Sequence, residues 1–584
     1  MGKKSEKIEL SPTGLLILKK RYLRKDGQGR CIESPEEMFR RVARNAAGAN
    51  ALYGEDPREA EAAFYGMMSR LEFLPNSPTL MNAGRRLQQL AACFVLPVED
   101  SIEHIFDMVK FSALIHQSGG GTGFSFSRLR PKNDIVSTSG GPASGPVSFI
   151  RIFNEATEVI NQGGFRRGAN MAVLHVTHPD ILEFIDCKNR QGVLTNFNVS
   201  VGVTDAFMKA VEDDGEYGLI NPRTGKTVKK LRAREVFDRL VEEAWKTGEP
   251  GILFLDTINA SNPTPELGAI ESTNPCGEQP LLPYESCVLG SVNLSGMLKD
   301  GDGKRPGVDW DRLREVIRWG LYFLDNVIDV NKYPLPQVEE MSKGNRKIGL
   351  GVMGFADMLV KMGIPYDSEE ALGAAEELMK FFSGEANAAS IERAEKRGVF
   401  PNFSRSIYDK AGGPRYRNVS RTTIAPTGTI SIIAGCSSGI EPIFAFSFGR
   451  RILDEEFIPE VYDLFVETAH REGFYSDRLM EEISKEGSIQ SIPYIPDGTK
   501  RVFVTARDIP AEWHVRMQAA FQKYTDNAVS KTINFSSATS KKEVEKTFML
   551  AYESRCKGIT IYRDKSRISQ ALALECECEV ETVN

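Results

Sequence analysis

The chain has 584 residues and a formal net charge of −6, with 41% hydrophobic and 26% charged residues. This balance is typical of a globular protein and excludes an intrinsically disordered chain. The slight acidity argues against nucleic acid as the main partner, and no apolar run is long enough for a membrane span or a secretory signal. We therefore expect a cytoplasmic protein that binds neither nucleic acid nor membrane.

The first helix is predicted to begin at Pro35. Ser34 can cap it, proline suits the first helical position, and Glu37 completes a capping box. Amphipathic spacing predicts two further helices, at 232–246 and 310–330. Strand-like apolar runs lie at 171–176, 197–203, 421–425 and 558–562. Strands that alternate with helices predict a mostly parallel sheet covered by helices, either open or closed into a barrel.

Segments rich in small residues interrupt this pattern at 118–123, 139–142 and 163–168. The first does not give G-x-G-x-x-G after a convincing strand, so a dinucleotide-binding fold is not supported. Segment 425–431 follows a predicted strand, and its backbone N–H groups can bind an anion; an ordinary turn is the alternative. It lacks the Walker lysine, which excludes a standard nucleotide-hydrolysing loop.

The cysteines narrow the possible functions most. There are nine, at positions 31, 93, 187, 276, 287, 436, 556, 576 and 578. An odd number without a secretory signal is a poor disulfide framework, so thiols that matter are expected to be catalytic, redox-active or metal-bound. In Asn274-Pro275-Cys276-Gly277-Glu278 one thiol lies on a tight turn. A buried inert thiol is the plain alternative, whereas the flanking amide and carboxylate favour a reactive site.

The C-terminal residues 575–579 read E-C-E-C-E. Two thiols without a second pair or a nearby histidine form a poor tetrahedral metal site. Cys576 and Cys578 suit a dithiol shuttle on a flexible tail, and a solvated tail is the alternative. The six histidines lack metal-binding spacing, so we predict no metal site.

A family signature runs through nearly the whole chain. Its segments are 41–43, 76–84, 91–94, 163–171, 274–278, 426–431, 526–534 and 556–564. On these residues the chain resembles the large catalytic subunit of ribonucleotide reductase, and more narrowly the adenosylcobalamin-dependent, class II branch. The resemblance implies a ten-stranded α/β barrel of two five-stranded parallel halves, with Cys276 on an inner loop. It divides the chain into an N-terminal helical region (1–70), the barrel (71–565) and a flexible tail (566–584).

The branch assignment rests on differences from the other classes. Class I enzymes, which receive a radical from a second subunit, carry adjacent tyrosines where this chain has Ile561-Tyr562. The glycyl-radical motif R-V-x-G-Y of class III is not found near the C-terminus. There is also no D-x-H-x-x-G motif, so the resemblance implies that no protein histidine binds cobalamin in that manner.

The resemblance assigns the chemistry to five residues and adenosylcobalamin. Cys276 becomes a thiyl radical, Glu278 takes the 3′-hydroxyl proton of the ribose, and Asn274 orients the substrate hydroxyls. Cys93 and Cys287 supply protons and electrons and end as a disulfide, which needs Cα atoms about 4.4–6.8 Å apart. The implied activity is the reduction of ribonucleotides, with diphosphates favoured over triphosphates, for DNA synthesis and repair.

The resemblance also implies two nucleotide sites and a reductant. The substrate is expected at Ser77, Ala92, Gly120, Gly121, Thr427, Gly428, Thr429, Ile430 and Ser431. A deoxynucleotide effector is expected at Asp100, Ser101, Gln117 and Arg130, with 161–170 as the loop that communicates with the substrate. A thioredoxin-type protein would reduce Cys576 and Cys578. A homodimer and a monomer both stay open, and the short N-terminus implies no ATP-cone domain.

The sequence leaves two alternative functions open. The nearest is a class I large subunit with a divergent radical relay, which would need a metal-containing partner. The other is a non-catalytic nucleotide-binding protein with structural cysteines. Three thiols and a carboxylate disfavour the second, because binding alone does not need them.

Overall fold

The computed structural model describes residues 8–135, 140–160, 168–190, 192–301, 305–452, 456–566 and 572–573. The chain begins with helices: α1 (Pro12–Ile17), a π-helical turn (Leu18–Tyr22), α2 (Pro35–Ala47), a 3₁₀ turn (Gly48–Tyr53) and α3 (Pro57–Ser69). Helix α2 begins as the sequence predicts, because Ser34 and Glu37 cap each other's backbone N–H groups. Residues 8–33 are more regular than their weak pattern indicates, with Leu18 and Tyr22 fully buried.

The remaining elements alternate between strands and helices. The strands are β1 (Phe73–Pro75), β2 (Cys93–Pro97), β3 (Gly121–Ser125), β4 (Asn170–His175), β5 (Phe197–Val203), β6 (Glu216–Ile220), β7 (Thr227–Arg232), β8 (Gly251–Phe254), β9 (Ser272–Thr273), β10 (Pro280–Leu281), β11 (Ser286–Asn293), β12 (Leu298–Lys299), β13 (Gly307–Val308), β14 (Ile348–Met353), β15 (Ser447–Ile452), β16 (Glu456–Val461), β17 (Thr532–Phe535), β18 (Gly558–Arg563) and β19 (Leu572–Ala573). The helices are α4 (Ser77–Asn82), α5 (Ile102–Gln117), α6 (Pro146–Ile160), α7 (Ile181–Ile185), α8 (Asp205–Glu212), α9 (Ala233–Thr247), α10 (Leu255–Ala260), α11 (Trp310–Val330), α12 (Pro336–Asn345), α13 (Phe355–Met362), α14 (Glu369–Arg397), α15 (Ile430–Ala434), α16 (Asp463–Glu472), α17 (Asp477–Glu486), α18 (Asp497–Val502), α19 (Ala511–Gln522) and α20 (Lys541–Glu553). Short 3₁₀ turns lie at Pro265–Leu267, Leu294–Gly296 and Phe403–Arg405.

Nine strands and one extended segment close into a ten-stranded barrel made of two parallel halves. The first half runs β2-β3-β4-β5-β8, with every neighbouring pair parallel. In the second half β11 pairs with β14 and β17 with β18, both in parallel. Residues 422–424 form the remaining strand position, because Thr422 bridges Leu350 of β14 and Ile424 bridges Val529, just before β17, both in parallel. The halves meet through antiparallel pairs β11·β2 and β18·β8. The predicted ten-stranded α/β barrel is therefore confirmed.

Most predicted elements match the structure closely. The two amphipathic patterns correspond to α9 and α11, and three of the strand-like runs to β4, β5 and β18. The fourth run, 421–425, joins the barrel through one bridge on each side rather than as a regular strand. Among the described residues, no helix combines the length and apolar character needed to cross a membrane.

A short hairpin carries the cysteine turn into the barrel. Strands β9 and β10 pair antiparallel, with residues 274–279 between them. A Cβ atom on Gly123 of β3 would lie 1.7 Å from the Thr273 carbonyl oxygen, and one on Gly121 would lie 3.0 Å from Pro275 Cγ. Glycine on the inner face of β3 therefore makes room for the hairpin.

Candidate active site

The turn that carries Cys276 is closed by its own hydrogen bonds. The Gly277 N–H donates to the Asn274 carbonyl oxygen at 3.1 Å, and Gly277 has a φ of +82°. The Asn274 N–H donates to the Gln279 carbonyl (3.1 Å), while the Gln279 N–H donates to Asn274 Oδ1 (3.0 Å). Asn274 thus fixes both ends of the turn, and the Cys276 side chain projects outward from it.

The two other predicted catalytic thiols lie directly opposite each other beneath the turn. Cys93 on β2 is the register partner of Cys287 on β11 in an antiparallel pair. Directly opposed residues of such pairs have Cα atoms about 4.5–5.5 Å apart, which lies within the range of a disulfide. Both cysteines are buried thiols. The distant Cys93 therefore reaches Cys287 through the joint between the two barrel halves.

Asn274 and Glu278 connect the turn to this thiol pair. Asn274 Nδ2 lies 3.1 Å from Cys93 Sγ, and Cys93 Sγ lies 3.9 Å from Glu278 Oε1. The Glu278 carbonyl oxygen accepts from the Ala528 N–H and from Thr423 Oγ1, both at 2.9 Å. These bonds fix the Glu278 backbone, and because only 2% of the residue is exposed, its carboxylate lies where bulk water is largely excluded.

Cys287 stays protonated in this environment. Burial raises the pKa of its thiol well above the ordinary value, and the nearby Glu285 and Glu278 act in the same direction. Lys347 opposes them, but its ammonium is paired with Glu285 at 2.7 Å, and both side chains are almost completely buried. A buried thiol of this kind can supply a proton and an electron together.

Cys276 lies on the wall of a large cavity. The cavity has a volume of about 1200 Å³, and its lining includes Cys276, Asn198, Ser437, Glu441 and Phe448. It is also lined by Ile561 and Tyr562, the pair that the sequence comparison above aligns with the adjacent tyrosines of class I enzymes. No histidine belongs to the described lining. The thiol can thus react with a large bound group from a side away from Cys93.

The predicted substrate residues gather near the thiol pair. The Ala92 N–H donates to the Cys287 carbonyl (3.2 Å), and the Gly121 N–H to the Ala92 carbonyl (2.8 Å). Ser77 begins α4, immediately after Asn76, whose N–H donates to the Leu289 carbonyl of β11. These contacts bring three predicted positions to one end of the barrel.

Segment 427–431 approaches this end from the second barrel half. Ala425 packs in the same apolar cluster as Cys93 and Cys287. Thr427 has a φ of +53°, and its Oγ1 accepts from the Gly439 N–H at 2.8 Å. Gly428 is exposed, whereas Ile430 and Ser431 are buried at the start of α15. Gly120 is buried, and a Cβ atom there would lie 2.6 Å from Phe94 Cε2, so this position has no room for a side chain.

The predicted effector residues are only partly brought together. Arg130 Nε and Asp100 Oδ2 form an ion pair at 2.8 Å, and Ser101 caps α5 by accepting from the His104 N–H. Gln117 lies at the other end of α5, 16 residues or about 24 Å along the axis. One small ligand on this chain cannot touch both ends of that helix. Most of loop 161–170 lies outside the described residues, as do Cys576 and Cys578.

The buried histidines have structural partners. His116 Nε2 lies 3.0 Å from Thr122 Oγ1, and His178 Nε2 lies 2.8 Å from the Leu129 carbonyl oxygen. Burial lowers the pKa of His116 to about 4. Among the described residues no cluster of three or more histidine, cysteine or acidic side chains could hold a metal ion.

One residue at this site was not predicted. Asn198 Nδ2 donates to the Pro275 carbonyl oxygen at 2.7 Å, next to Cys276. The signal for it is the alternation in F-N-V-S-V-G-V of β5, where polar or small residues share one face and apolar residues the other. In a barrel strand that polar face turns inward, toward the turn.

Comparison with known proteins agrees with this architecture. The family model "Ribonucleotide reductase, barrel domain" matches residues 91–562, and "Ribonucleotide reductase, all-alpha domain" matches residues 8–88. The solved class Id ribonucleotide reductase alpha subunit of Actinobacillus ureae has the same fold, with a TM-score of 0.78 at 24% identity, over 95% of this chain and 97% of that one. The chain therefore belongs to the ribonucleotide reductase family, and the resemblance drawn from the sequence is confirmed.

Similar curated sequences narrow the branch. The vitamin B12-dependent ribonucleoside-diphosphate reductase of Thermoplasma acidophilum is 49% identical and covers 98% of this chain and 81% of its own length. A protein of the same name from Mycobacterium tuberculosis (strain CDC 1551 / Oshkosh) is 49% identical over 97% of this chain and 81% of its own length. Both relatives favour the cobalamin-dependent branch over the class I alternative.

Proposed function

We propose that this chain reduces ribonucleoside diphosphates to 2′-deoxyribonucleotides with adenosylcobalamin as cofactor. The observation that carries the proposal is the opposed pair Cys93–Cys287 directly beneath the turn that holds Cys276, Asn274 and Glu278. The names of the 49% identical relatives support the cofactor and the diphosphate substrate. A nucleotide-binding protein would not need a buried dithiol at this place.

Each step has a residue that suits it chemically. The Cys276 thiyl takes the hydrogen atom from C3′ of the ribose, and Glu278 accepts the 3′-hydroxyl proton. Asn274 orients the ribose hydroxyls. Cys93 and Cys287 give up two protons and two electrons, the 2′-hydroxyl leaves as water, and the two sulfurs join as a disulfide. Cys276 finally returns the hydrogen atom to C3′, so its thiyl is regenerated.

The cavity beside Cys276 suits a corrinoid cofactor. At about 1200 Å³ it exceeds the usual range of ~300–1,000 Å³ for small-ligand pockets. Ser437, Glu441 and Lys531 on its wall offer donors and acceptors to peripheral carboxamides, and Phe448 offers apolar surface. No described histidine of the lining competes for cobalt, in agreement with the missing D-x-H-x-x-G motif. Bound adenosylcobalamin would supply the one-electron oxidation of the Cys276 sulfur.

Nucleotides and a reductant complete the proposal. We assign the substrate diphosphate to Thr427–Ser431 with Ser77, Ala92 and Gly120–Gly121, and the effector to Asp100, Ser101 and Arg130, with Gln117 contributing from elsewhere. The Arg130 guanidinium and the backbone N–H groups near Thr427 suit phosphate. The Cys576–Cys578 pair passes electrons from a thioredoxin-type protein in the cytoplasm to Cys93 and Cys287 by thiol exchange.

We further propose a homodimer through α5 and α6. The exposed apolar side chains Ile102, Phe106 and Leu114 of α5 and Ile152 and Val159 of α6 support it. A dimer would also let Gln117 of one copy approach the Ser101 end of the other. Substitution Phe106→Glu is expected to shift the mass in light scattering from dimer to monomer; an unchanged dimer would contradict this interface.

The decisive experiment measures reduction of the four ribonucleoside diphosphates by the full chain with dithiothreitol, with and without adenosylcobalamin. We expect turnover with the cofactor alone and none without it. A requirement for a second, metal-containing subunit would overturn the proposal in favour of class I. The corresponding triphosphates test the substrate form, since diphosphates should give the higher kcat/KM.

A further inference from the structure

The side chain of Asn198 on β5 contacts the cysteine turn through a hydrogen bond. It is exposed into the cavity that Cys276 lines. Its amide N–H donates to the Pro275 carbonyl oxygen at 2.7 Å, a short and well-placed bond. Strand β5 belongs to the parallel first half of the barrel and is paired on both sides, so Asn198 projects from a rigid support.

The bonded carbonyl belongs to the middle peptide of a β-turn. The Gly277 N–H to Asn274 carbonyl bond closes a four-residue turn with Pro275 and Cys276 at its centre. Cys276 is not among the residues with positive φ, whereas a type II turn requires positive φ at that position. The turn is therefore of type I, in which proline at the second position is favoured.

Orientation of this peptide sets the conformation of the turn that carries the reactive sulfur. Type I and type II turns differ by a rotation of the middle peptide, here Pro275–Cys276, which reverses its carbonyl. Such a rotation changes ψ of Pro275 and φ of Cys276 in opposite senses, and it would carry Cys276 to a positive φ that a side chain disfavours. Asn198 can bond the carbonyl only in the orientation observed. The hydrogen bond therefore stabilises the observed turn and holds the peptide beside Cys276 in place.

We propose that Asn198 is a positioning residue for Cys276, fixing the direction of its sulfur by holding the Pro275 carbonyl. The inference rests on the proposed function, since it concerns the aim of the radical-forming thiol. Misplacing a reacting group by about 1 Å can cost ~10²-fold in rate without loss of binding. Asn198 itself needs no contact with the substrate for this role.

The surroundings of Asn198 are simple enough for a clean test. On β4 its register partner is Met171, which does not titrate. Glu249, which precedes β8, has its carboxylate paired with Lys188 at 2.5 Å. The other titratable groups on the turn and on β4 are Cys276, the buried Glu278 and His175 at the end of β4. Of these three, only Cys276 lines the cavity together with Asn198. A carboxyl introduced at position 198 would therefore titrate mainly against its own contact with the turn.

Two near-isosteric variants separate positioning from other roles. Asn198→Leu removes the donor, and Asn198→Asp replaces it with an oxygen that repels the Pro275 carbonyl when ionised. We expect both to lower kcat at neutral pH by about 10-fold or more, with KM and the absorbance-measured Kd of adenosylcobalamin within about 3-fold. The spin-resonance signal that couples the Cys276 thiyl to Co(II) should lose intensity to the same degree.

The pH profile supplies a readout that a space-filling role would not change. In the Asn198→Asp variant, the protonated form of the introduced carboxyl again has an O–H donor for the Pro275 carbonyl. The kcat of Asn198→Asp relative to the unaltered enzyme should therefore rise as pH falls, whereas the ratio for Asn198→Leu should stay flat. The same substitutions at the exposed Asn189 are the matched controls and should leave kcat unchanged.

Each possible result supports or contradicts the role proposed for Asn198. If Asn198→Leu keeps kcat and the thiyl signal within about 2-fold, Asn198 does not position the thiol. If the Kd of adenosylcobalamin rises as much as kcat falls, Asn198 is a cofactor contact and the inference is overturned. Failure of the unaltered enzyme to turn over with adenosylcobalamin would instead reject the proposed function itself.

Discussion

The two sides of the turn at 274–278 differ sharply in their surroundings. On one side Asn274 and Glu278 are 2% exposed and face Cys93, which is 3% exposed and opposes Cys287. On the other side Cys276 is exposed into a cavity of about 1200 Å³. A single short turn therefore separates a closed dithiol region from an open one that can admit a large cofactor.

The difference fits the two kinds of chemistry proposed here. Reduction by Cys93 and Cys287 needs thiols that keep their protons, and burial raises the pKa of Cys287 well above its ordinary value. Radical formation at Cys276 needs access for a bulky group. Because the turn is held by backbone hydrogen bonds on one side and by Asn198 on the other, both requirements are met without moving the hairpin.

The strongest test of this division removes the sulfur on the open side. We expect Cys276→Ser to abolish turnover while nucleotide binding in equilibrium dialysis stays within about 3-fold, because an oxygen radical does not form under these conditions while the binding residues are untouched. Cys31→Ser, at an exposed position away from the turn, is the control and should keep full activity. Normal turnover by Cys276→Ser would show that the exposed thiol is not required for the reaction.

The next largest effect is expected on the closed side. Glu278→Gln keeps the shape of the side chain but loses the base, so kcat should fall by about 10²–10⁴-fold. Steady-state kinetics at saturating substrate measure it, with the exposed Glu340→Gln as the matched control. A decrease smaller than about 10-fold would mean that another group accepts the 3′-hydroxyl proton.

A stability measurement tests the buried ion pair between Lys347 and Glu285, which lies near Cys287. Lys347→Met leaves Glu285 buried without its cation, which should lower the free energy of unfolding by about 3–5 kcal/mol. Glu285→Gln in addition removes the uncompensated charge and keeps one acceptor oxygen, which can serve either the Asn345 amide or the Leu282 N–H, so part of the loss should be recovered. Urea denaturation of the single and double variants measures this; additive losses would show that the pair is not coupled.

The smallest expected effect concerns the pH dependence of stability at a buried histidine that does not belong to the turn. Burial lowers the pKa of His116 to about 4 from the usual 6.5, so between these values the unfolded chain binds a proton that the folded chain does not. The stability provided by neutral His116 is therefore present above pH 6.5 and lost as pH falls toward 4, by up to about 1.4 kcal/mol per pH unit.

His116→Gln should flatten this part of the pH dependence in urea denaturation. His470→Gln, on the exposed face of α16, is the matched control and should leave the slope unchanged. Equal slopes for His116→Gln and the unaltered protein would show that His116 is not buried neutral. Activity above pH 6.5 should be retained by both variants, in contrast to the variants of the turn.

Local patterns predicted what depends on neighbours in sequence. The capping box at Ser34 and Glu37, the amphipathic helix at 310–330 and the strand at 197–203 all follow from short-range periodicity. Segment 422–424 is held by a single bridge to each of its two neighbours, and no local sequence pattern records this. The domain boundaries after residues 70 and 565 stay predictions.

The sequence by itself determined the reactive turn and, through its ordered motifs, the family and the fold. Proline, cysteine, glycine and two polar side chains within five residues define that turn locally. Only the tertiary structure decided that Cys93 and Cys287 are register partners, that Gly123 admits the hairpin, and that Asn198 holds Pro275. Such contacts join residues far apart in the chain, and they form only when the barrel strands assemble around the hairpin.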